Sequence, residues 1–124
     1  MLVKVYTAAL QGIDATIVTI EVNSSRGIKF FLVGLPDSAV KESHERIISA
    51  LQVNGYKFPS RQIVVNMAPA DIKKEGTVFD LAIMCAILQS DGIIPREYDF
   101  SDKCIIGELS LSGEVRGVAG VLPM

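Results

Sequence analysis

The sequence has no tryptophan, one histidine and two cysteines among its 124 residues, and aromatic residues make up 6% of it. So few histidines and cysteines leave no paired spacing of the kind that binds zinc. Cys85 lies in an apolar run and Cys104 in a strand-like run. Both are predicted to be small buried hydrophobes, as in a protein of a reducing, cytosolic compartment. We expect no metal and no cofactor in this segment.

An excess of charge of one sign is also missing. The formal net charge is −2, so no overall positive field attracts the chain to nucleic acid or to an anionic membrane. This net charge does not exclude a local basic patch. The longest apolar run, Leu81 to Leu88, is too short to cross a bilayer. The first residues lack the charged leader and cleavage site of a signal peptide. These absences predict a cytoplasmic chain without a membrane anchor.

What is present is typical of a globular protein: 49% of the residues are hydrophobic and 21% are charged. The length fits one domain, and no repeat, low-complexity tract or linker divides it, so we predict a single domain over residues 1–124. The last residues, Leu122-Pro123-Met124, bring no polar tail, and we expect a C-terminal helix beyond them in a longer protein.

Hydrophobic periodicity predicts eight elements. Helical spacing indicates a helix from Val40 to Leu51, capped by Asp37 or Ser38, and a second helix from about Val78 to Ser90. Strands are predicted at Leu2–Leu10, Ile13–Val22, Ile28–Val33, Arg61–Ala68, Lys103–Leu109 and Glu114–Val118. The order β-β-β-α-β-α-β-β predicts an α+β fold with helices packed on a mixed sheet. Short connections predict that the first three strands are antiparallel.

The segment DIKKEGTVFDLAIM, from Asp71 to Met84, has the composition of a loop that leads into a buried helix. Thr77 and Asp80 have the spacing of a capping box, in which the Thr77 hydroxyl accepts from the Asp80 amide and the Asp80 carboxylate accepts from the Thr77 amide. Gly76 allows the sharp turn before the helix. This structural interpretation explains the segment without catalysis.

Two chemical alternatives remain for the same segment. Thr77 is a weak candidate nucleophile if Lys73 or Lys74 serves as its base, but lysines beside Glu75 are expected to be solvated and protonated. Phosphate binding at the helix N-terminus, aided by the same two lysines, is the other alternative. The segment lacks the Walker A spacing, since no Lys-Ser/Thr follows Gly76.

The remaining candidates are weaker. His44 falls on or beside the apolar stripe of the first helix and is predicted to be packed rather than catalytic. The acidic cluster of Glu97, Asp99 and Asp102 is typical of a solvated loop. Five basic residues could converge into a patch for DNA: Lys29, Arg61, Lys73, Lys74 and Arg116.

Three strings carry a resemblance to a known family: VGLPDSAVKESHERIISAL (33–51), NMAPADIKKEGTVFDLAI (66–83) and GELSLSGEVRGVAGVLPM (107–124). They closely resemble the N-terminal domain of the magnesium-chelatase-like AAA+ ATPases of the ComM/YifB type, in the same order and over essentially the whole chain. The resemblance implies a following AAA+ module that binds ATP and Mg²⁺ and that this domain contacts in cis. It also implies a homo-hexameric ring and, for ComM-type members, DNA branch migration.

The chain also resembles the proteolytic domain of the Lon protease, which shares its fold with a domain of a small-subunit ribosomal protein. Lys74-Glu75-Gly76 matches the K-D-G of that family, which places its catalytic serine on Val78. Gly107-Glu108 and Gly113 match a second string of that family, and the position of its catalytic lysine, in a later string, falls on Leu122. Because neither aliphatic side chain can act as nucleophile or base, the resemblance implies a pseudo-protease and a non-catalytic accessory domain. A residual Thr77 hydrolase and a DNA- or partner-binding module are the alternatives.

Overall fold

The structure is a computed structural model that describes residues 2–11 and 14–116. None of the helices in these ranges is long and apolar enough to cross a membrane. The strands are β1 (Leu2–Gln11), β2 (Asp14–Ser25), β3 (Phe30–Val33), β4 (Gln62–Ala68), β5 (Glu108–Leu109) and β6 (Val115–Arg116). The helices are α1 (Ser38–Lys41), α2 (Ser43–Val53) and α3 (Asp80–Ser90).

Four strands form a mixed sheet in the order β1-β2-β4-β3. β1 and β2 are antiparallel, β2 and β4 are antiparallel, and β3 runs parallel to β4. The predicted α+β class with a mixed sheet is confirmed. The antiparallel start holds for β1 and β2 but is wrong for β3, which does not pair with β2. The free side of β2 is occupied by β4, whose alternate residues Ile63, Val65 and Met67 are fully buried, and the four-residue β3 is left at the edge.

The core lies between one face of the sheet and the longer helices. Alternation places Val18, Ile20 and Val22 of β2 on the same face as the buried residues of β4. α3 packs over β1 and β2 and buries two pairs of small and branched side chains, Ala82, Ile83, Ala86 and Ile87. α2 adds Ile47 and Leu51 to the same cluster. The prediction that the segment before Asp80 leads into a buried helix is therefore confirmed.

β5 and β6 form a separate two-stranded hairpin. The strand predicted from Lys103 is much shorter, because Cys104 makes a single bridge to Tyr6 of β1 before the chain continues to the hairpin. The hairpin turn is fastened to α2, since Ser49 donates to the Leu111 carbonyl at 2.8 Å. Residues 117 and 118 of the last predicted strand lie outside the described residues. Cys104 is exposed, contrary to the prediction, while Cys85 is half-buried.

Candidate functional site

Two loops meet at the segment that was analysed above for a helix cap or a catalytic role: residues 34–37 after β3 and residues 69–79 after β4. Gly34 has φ +105°, and a Cβ at this position would overlap the Met67 carbonyl oxygen, so glycine is required there. The Lys74 amide donates to the Leu35 carbonyl at 2.9 Å, and the Asp37 amide donates to the Lys74 carbonyl at 2.9 Å. These reciprocal hydrogen bonds hold the two loops together.

The Asp37 carboxylate has two roles at this junction. One oxygen accepts from the Val40 amide at 2.8 Å and so caps α1, as predicted from the sequence. The other oxygen accepts from the Gly76 amide at 3.2 Å. Asp37 therefore fixes the backbone just before Thr77, although it lies almost forty residues earlier in the chain.

Lys74 is the main departure from the sequence prediction in this loop. Its side chain is fully buried, and its amine donates to the Pro69 carbonyl. Burial lowers the pKa of Lys74, and the negative charge of Asp71 opposes this shift. The prediction of a solvated lysine is wrong for Lys74 but agrees with Lys73, which is exposed and lies 3.7 Å from Glu75. Lys74 cannot offer its amine to an outside ligand while it occupies this position.

The capping box predicted for Thr77 and Asp80 is wrong. The helix starts at Asp80, with Phe79 at the N-cap and no side-chain hydrogen bond there. The Thr77 hydroxyl donates instead to a Glu108 carboxylate oxygen at 3.0 Å. Gly76 does have a positive φ of +86°, as a sharp turn needs. Both polar groups of the expected cap bind partners distant in sequence rather than each other.

Asp80 forms a buried ion pair with Arg46 of α2. Nε of Arg46 lies 2.6 Å from one carboxylate oxygen and Nη2 lies 2.8 Å from the other, and Nη2 also donates to the Ala39 carbonyl. The Asp80 carboxylate accepts further from the Leu109 amide at 3.1 Å. Hydrogen bonding to Asp80 raises the pKa of Arg46. One bidentate pair therefore joins both long helices to the β5–β6 hairpin.

This arrangement does not assemble an activated nucleophile in the described part of the chain. Val78, which the sequence resemblance aligns with the Lon serine, is half-buried, and its carbonyl accepts from the Gly107 amide at 3.1 Å. Thr77 is hydrogen-bonded to a carboxylate, and neither Lys73 nor Lys74 bonds to it. Leu122, in the position of the Lon lysine, lies outside the described residues. Residues 2–11 and 14–116 contain no group of three histidine, cysteine, aspartate or glutamate side chains that could hold a metal ion.

His44 is packed, as predicted. Its ring stacks on Phe30, with centroids 3.8 Å apart and planes 7° apart, and Phe58 contacts it at 5.0 Å. Burial lowers the pKa of His44, while the nearby Glu45 opposes the shift. A neutral, stacked imidazole with these neighbours serves packing between α2 and β3.

The five predicted basic contacts do not converge. Lys29 and Arg61 lie together at the start of β3 and β4, since the Lys29 carbonyl accepts from the Ile63 amide. Lys73 and Lys74 follow the other end of β4, which spans roughly 20 Å, and Lys74 is buried. Arg116 is in β6, and its side chain lies outside the described residues.

Two other cations join Lys29 and Arg61 at this end of the sheet. Arg26 follows the last residue of β2, and Lys57 precedes Phe58, whose ring lies 6.0 Å from Phe30 at the start of β3. All four side chains are exposed. Their positions in loops next to strand ends were the signal that sequence reasoning missed. We call Arg26, Lys29, Lys57 and Arg61 the basic cluster.

A shallow pocket of about 230 Å³ lies between the ends of α2 and α3. Its lining is largely apolar and includes Leu51, Met84 and Leu88, with Asn54 at the rim. The Asn54 amide is already used, because it donates to the Ala50 and Ser112 carbonyls. The pocket has the lining of a packing defect or an apolar contact site rather than of a catalytic centre.

Comparisons with known proteins agree with the resemblance seen in the sequence. Residues 20–124 match the family described as subunit ChlI of Mg-chelatase. The chain is 45% identical to competence protein ComM of Haemophilus influenzae over 124 residues, covering 96% of this chain and 23% of that protein. It is 40% identical to YifB of Escherichia coli over 120 residues, covering 95% of this chain and 23% of that protein.

The chain thus spans about a quarter of the length of the curated relatives that it matches. The family match extends from β2 to the last residue and includes both loops of the junction described above. Each of the two relatives is at least 40% identical to this chain over almost its whole length, and this level of identity shows a shared family. The chain therefore belongs to the magnesium-chelatase-like family that includes ComM and YifB.

Proposed function

We infer that this chain is the N-terminal, non-catalytic accessory domain of a magnesium-chelatase-like AAA+ ATPase, with a Lon-protease-like fold that has lost its catalytic dyad. Val78 carries this proposal, because the resemblance to the Lon family places the catalytic serine at this position and a valine side chain cannot attack a carbonyl. Family membership supports it, and so does the small share of the relatives' length that the chain spans.

The proposal assigns the chemistry of the whole protein to a module beyond this chain. That module binds ATP and Mg²⁺, contacts this domain in cis and assembles a homo-hexameric ring in the cytoplasm. The resemblance to ComM-type members adds movement of this ring along branched DNA, and the relative from Haemophilus influenzae is a competence protein. Experiments on the full-length protein test the proposed ATP binding, ring assembly and DNA movement.

The decisive experiment measures two activities of the full-length protein and of this chain. ATP hydrolysis and a hexameric mass are expected for the full-length protein, and no cleavage of a fluorogenic casein substrate is expected for either. Thr77→Val removes the remaining hydroxyl of the junction and should leave ATP hydrolysis unchanged. Casein cleavage that disappears in Thr77→Val would establish a residual hydrolase and overturn the non-catalytic role.

A hydrolase that uses Thr77 is the first alternative, and the contacts of the junction argue against it. A threonine nucleophile needs a base within hydrogen-bond reach, and Lys74 offers its amine to Pro69 instead. The acidic Glu108 is the hydroxyl's partner. Neither lysine is therefore in place as the base that this alternative requires.

DNA binding by the domain itself is the second alternative, and the basic cluster is the observation that favours it. Phosphate contacts by four cations would give an affinity that falls steeply with salt. Titration of labelled single-stranded and branched DNA at two salt concentrations tests this alternative. A salt-dependent affinity that is lost on Lys29→Glu would support it.

A further inference from the structure

β3 is the terminal strand of the four-stranded sheet and pairs with β4 on one side. Because the Lys29 carbonyl accepts from the Ile63 amide, alternation directs the backbone groups of Phe31 towards β4 and those of Phe30 and Leu32 away from the sheet. Within residues 2–11 and 14–116, no backbone hydrogen bond reaches these outward groups. An open strand edge of this kind is a template for another extended chain.

The opposite edge of the sheet, at β1, is partly covered. The Tyr6 carbonyl of β1 accepts from the Ile105 amide at 2.8 Å, and Cys104 bridges to the same residue. The segment that follows α3 therefore lies along part of β1. The two edges differ in this respect, so the open edge at β3 is not a general property of the sheet.

The side chains beside the open edge are apolar. Phe31 and Val33 point to the sheet face away from the helices and are 43% and 44% exposed, and Ile28 just before β3 is 88% exposed. On the other face, Phe30 stacks on His44. An added strand would therefore meet apolar surface on both faces, and cross-strand apolar pairs stabilise a sheet.

The basic cluster lies at the start of this same strand. None of its four side chains has an ion-pair partner in the described part of the chain. Residues 26–36 contain no aspartate or glutamate, although the chain as a whole has a net charge of −2. The edge of β3 thus combines unpaired backbone groups, apolar side chains and uncompensated positive charge at one end.

We propose that the β3 edge binds an extended segment of a partner protein that has alternating apolar residues followed by acidic residues. An antiparallel arrangement, the more stable one per residue, places the acidic C-terminal end of that segment beside Lys29 and Arg61. Nucleic acid fits less well, because phosphates complement the cations but not the apolar strand. A second copy of this chain also fits less well, because its own β3 segment would bring further cations and no carboxylate.

Fluorescence anisotropy with a labelled synthetic peptide tests the proposal. The peptide has an alternating valine–threonine segment followed by three glutamates, and its controls carry lysines in place of the glutamates or place the glutamates at the N-terminal end. Both controls should bind at least about tenfold more weakly. Slower hydrogen exchange of the Phe30 and Leu32 amides on adding the first peptide would report strand addition directly.

Variants separate the apolar and the charged parts of the edge. Lys29→Glu is expected to weaken peptide binding about fivefold, and Phe31→Thr should weaken it by a similar factor while keeping a strand-forming residue. Arg96→Glu is the matched control, since Arg96 is also an exposed cation without an ion-pair partner in the described residues but follows α3 on the β1 side. It should bind the peptide like the unmodified chain. Circular dichroism verifies that each variant is folded.

Three outcomes would overturn the proposal. Peptide binding that is absent, or equal for all three peptides, removes its basis. Tight binding of a labelled single-stranded oligonucleotide that responds to Lys29→Glu but not to Phe31→Thr, without protection of the Leu32 amide, would make the edge a polyanion surface. Concentration-dependent dimers that dissociate on Phe31→Thr would identify a second copy as the occupant.

Discussion

The ion pair between Arg46 and Asp80 gives the most quantitative test of the fold. Asp80 is almost completely buried, with 1% of its side chain exposed, whereas Arg46 keeps 16% exposed. Removing Arg46 leaves a buried carboxylate without its cation, while removing the charge of Asp80 leaves a guanidinium that can still reach water. Loss of one partner from a buried pair costs about 3–5 kcal/mol of unfolding free energy when the other stays buried.

We therefore expect an asymmetric result. Arg46→Met should lower the free energy of unfolding by about 3 kcal/mol, because the stranded Asp80 carboxylate keeps the Leu109 amide as its remaining donor. Asp80→Asn keeps an oxygen for that amide and should cost about 1–2 kcal/mol. The double variant Arg46→Met/Asp80→Asn should be less destabilised than the sum of the two single changes, by about 2 kcal/mol.

Urea unfolding followed by circular dichroism measures all three variants in one double-mutant cycle. The surface pair of Lys103 and Asp102, with nitrogen and oxygen 2.9 Å apart, is the matched control, since its side chains are 44% and 75% exposed. Asp102→Asn should change the unfolding free energy by less than about 0.5 kcal/mol. A cost for Arg46→Met below about 1 kcal/mol, or a coupling close to zero, would refute the claim that this pair joins the helices to the hairpin.

Two further predictions concern the backbone of the junction and the stacked histidine. Gly34→Ala should destabilise the chain by about 2–4 kcal/mol, because both its φ of +105° and the Met67 carbonyl exclude a Cβ; Gly55→Ala, at φ +83° in open space, should cost only about 1 kcal/mol in the same urea assay. Burial lowers the pKa of His44 below its ordinary 6.5, so the unfolded chain binds the proton more tightly, and stability should be full above pH 6.5 and fall as the pH drops below it. His44→Phe should remove the part of the stability loss between pH 7.5 and 5.5 that protonation of His44 causes. If stability depends on pH in the same way in this variant, His44 is not the titrating group.

Much of the local structure follows from the sequence because it depends on local periodicity. Strict alternation from Val18 to Val22 predicts a strand with one buried face, and the apolar run from Leu81 predicts a helix buried on several sides. The Asp37 cap is local as well, since its carboxylate reaches an amide three residues later. Each of these features is determined by neighbours within one or two turns.

What the sequence did not reveal depends on which distant segments meet. The side chain of Asp80 has the spacing for a local cap. It binds instead the guanidinium of Arg46, 34 residues earlier in the chain, through two charge-assisted hydrogen bonds. The periodicity of α2 carries no information about a second helix that covers one of its faces, so it did not reveal that Arg46 meets Asp80. The position of β3 beyond β4 was missed for the same reason, since strand pairing is not encoded in the alternation of either strand.

The junction after β4 illustrates why a sequence that resembles a catalytic loop need not work as one. Three of its polar groups have structural partners: the Gly76 amide donates to Asp37, the Thr77 hydroxyl to Glu108 and the Lys74 amine to the Pro69 carbonyl. A lysine base must be neutral and must reach the hydroxyl. Burial lowers the pKa of Lys74, but its amine donates to the Pro69 carbonyl and does not reach Thr77. The pKa of a buried lysine is therefore a poor guide to function unless its hydrogen-bond partner is also known, and here that partner is the backbone.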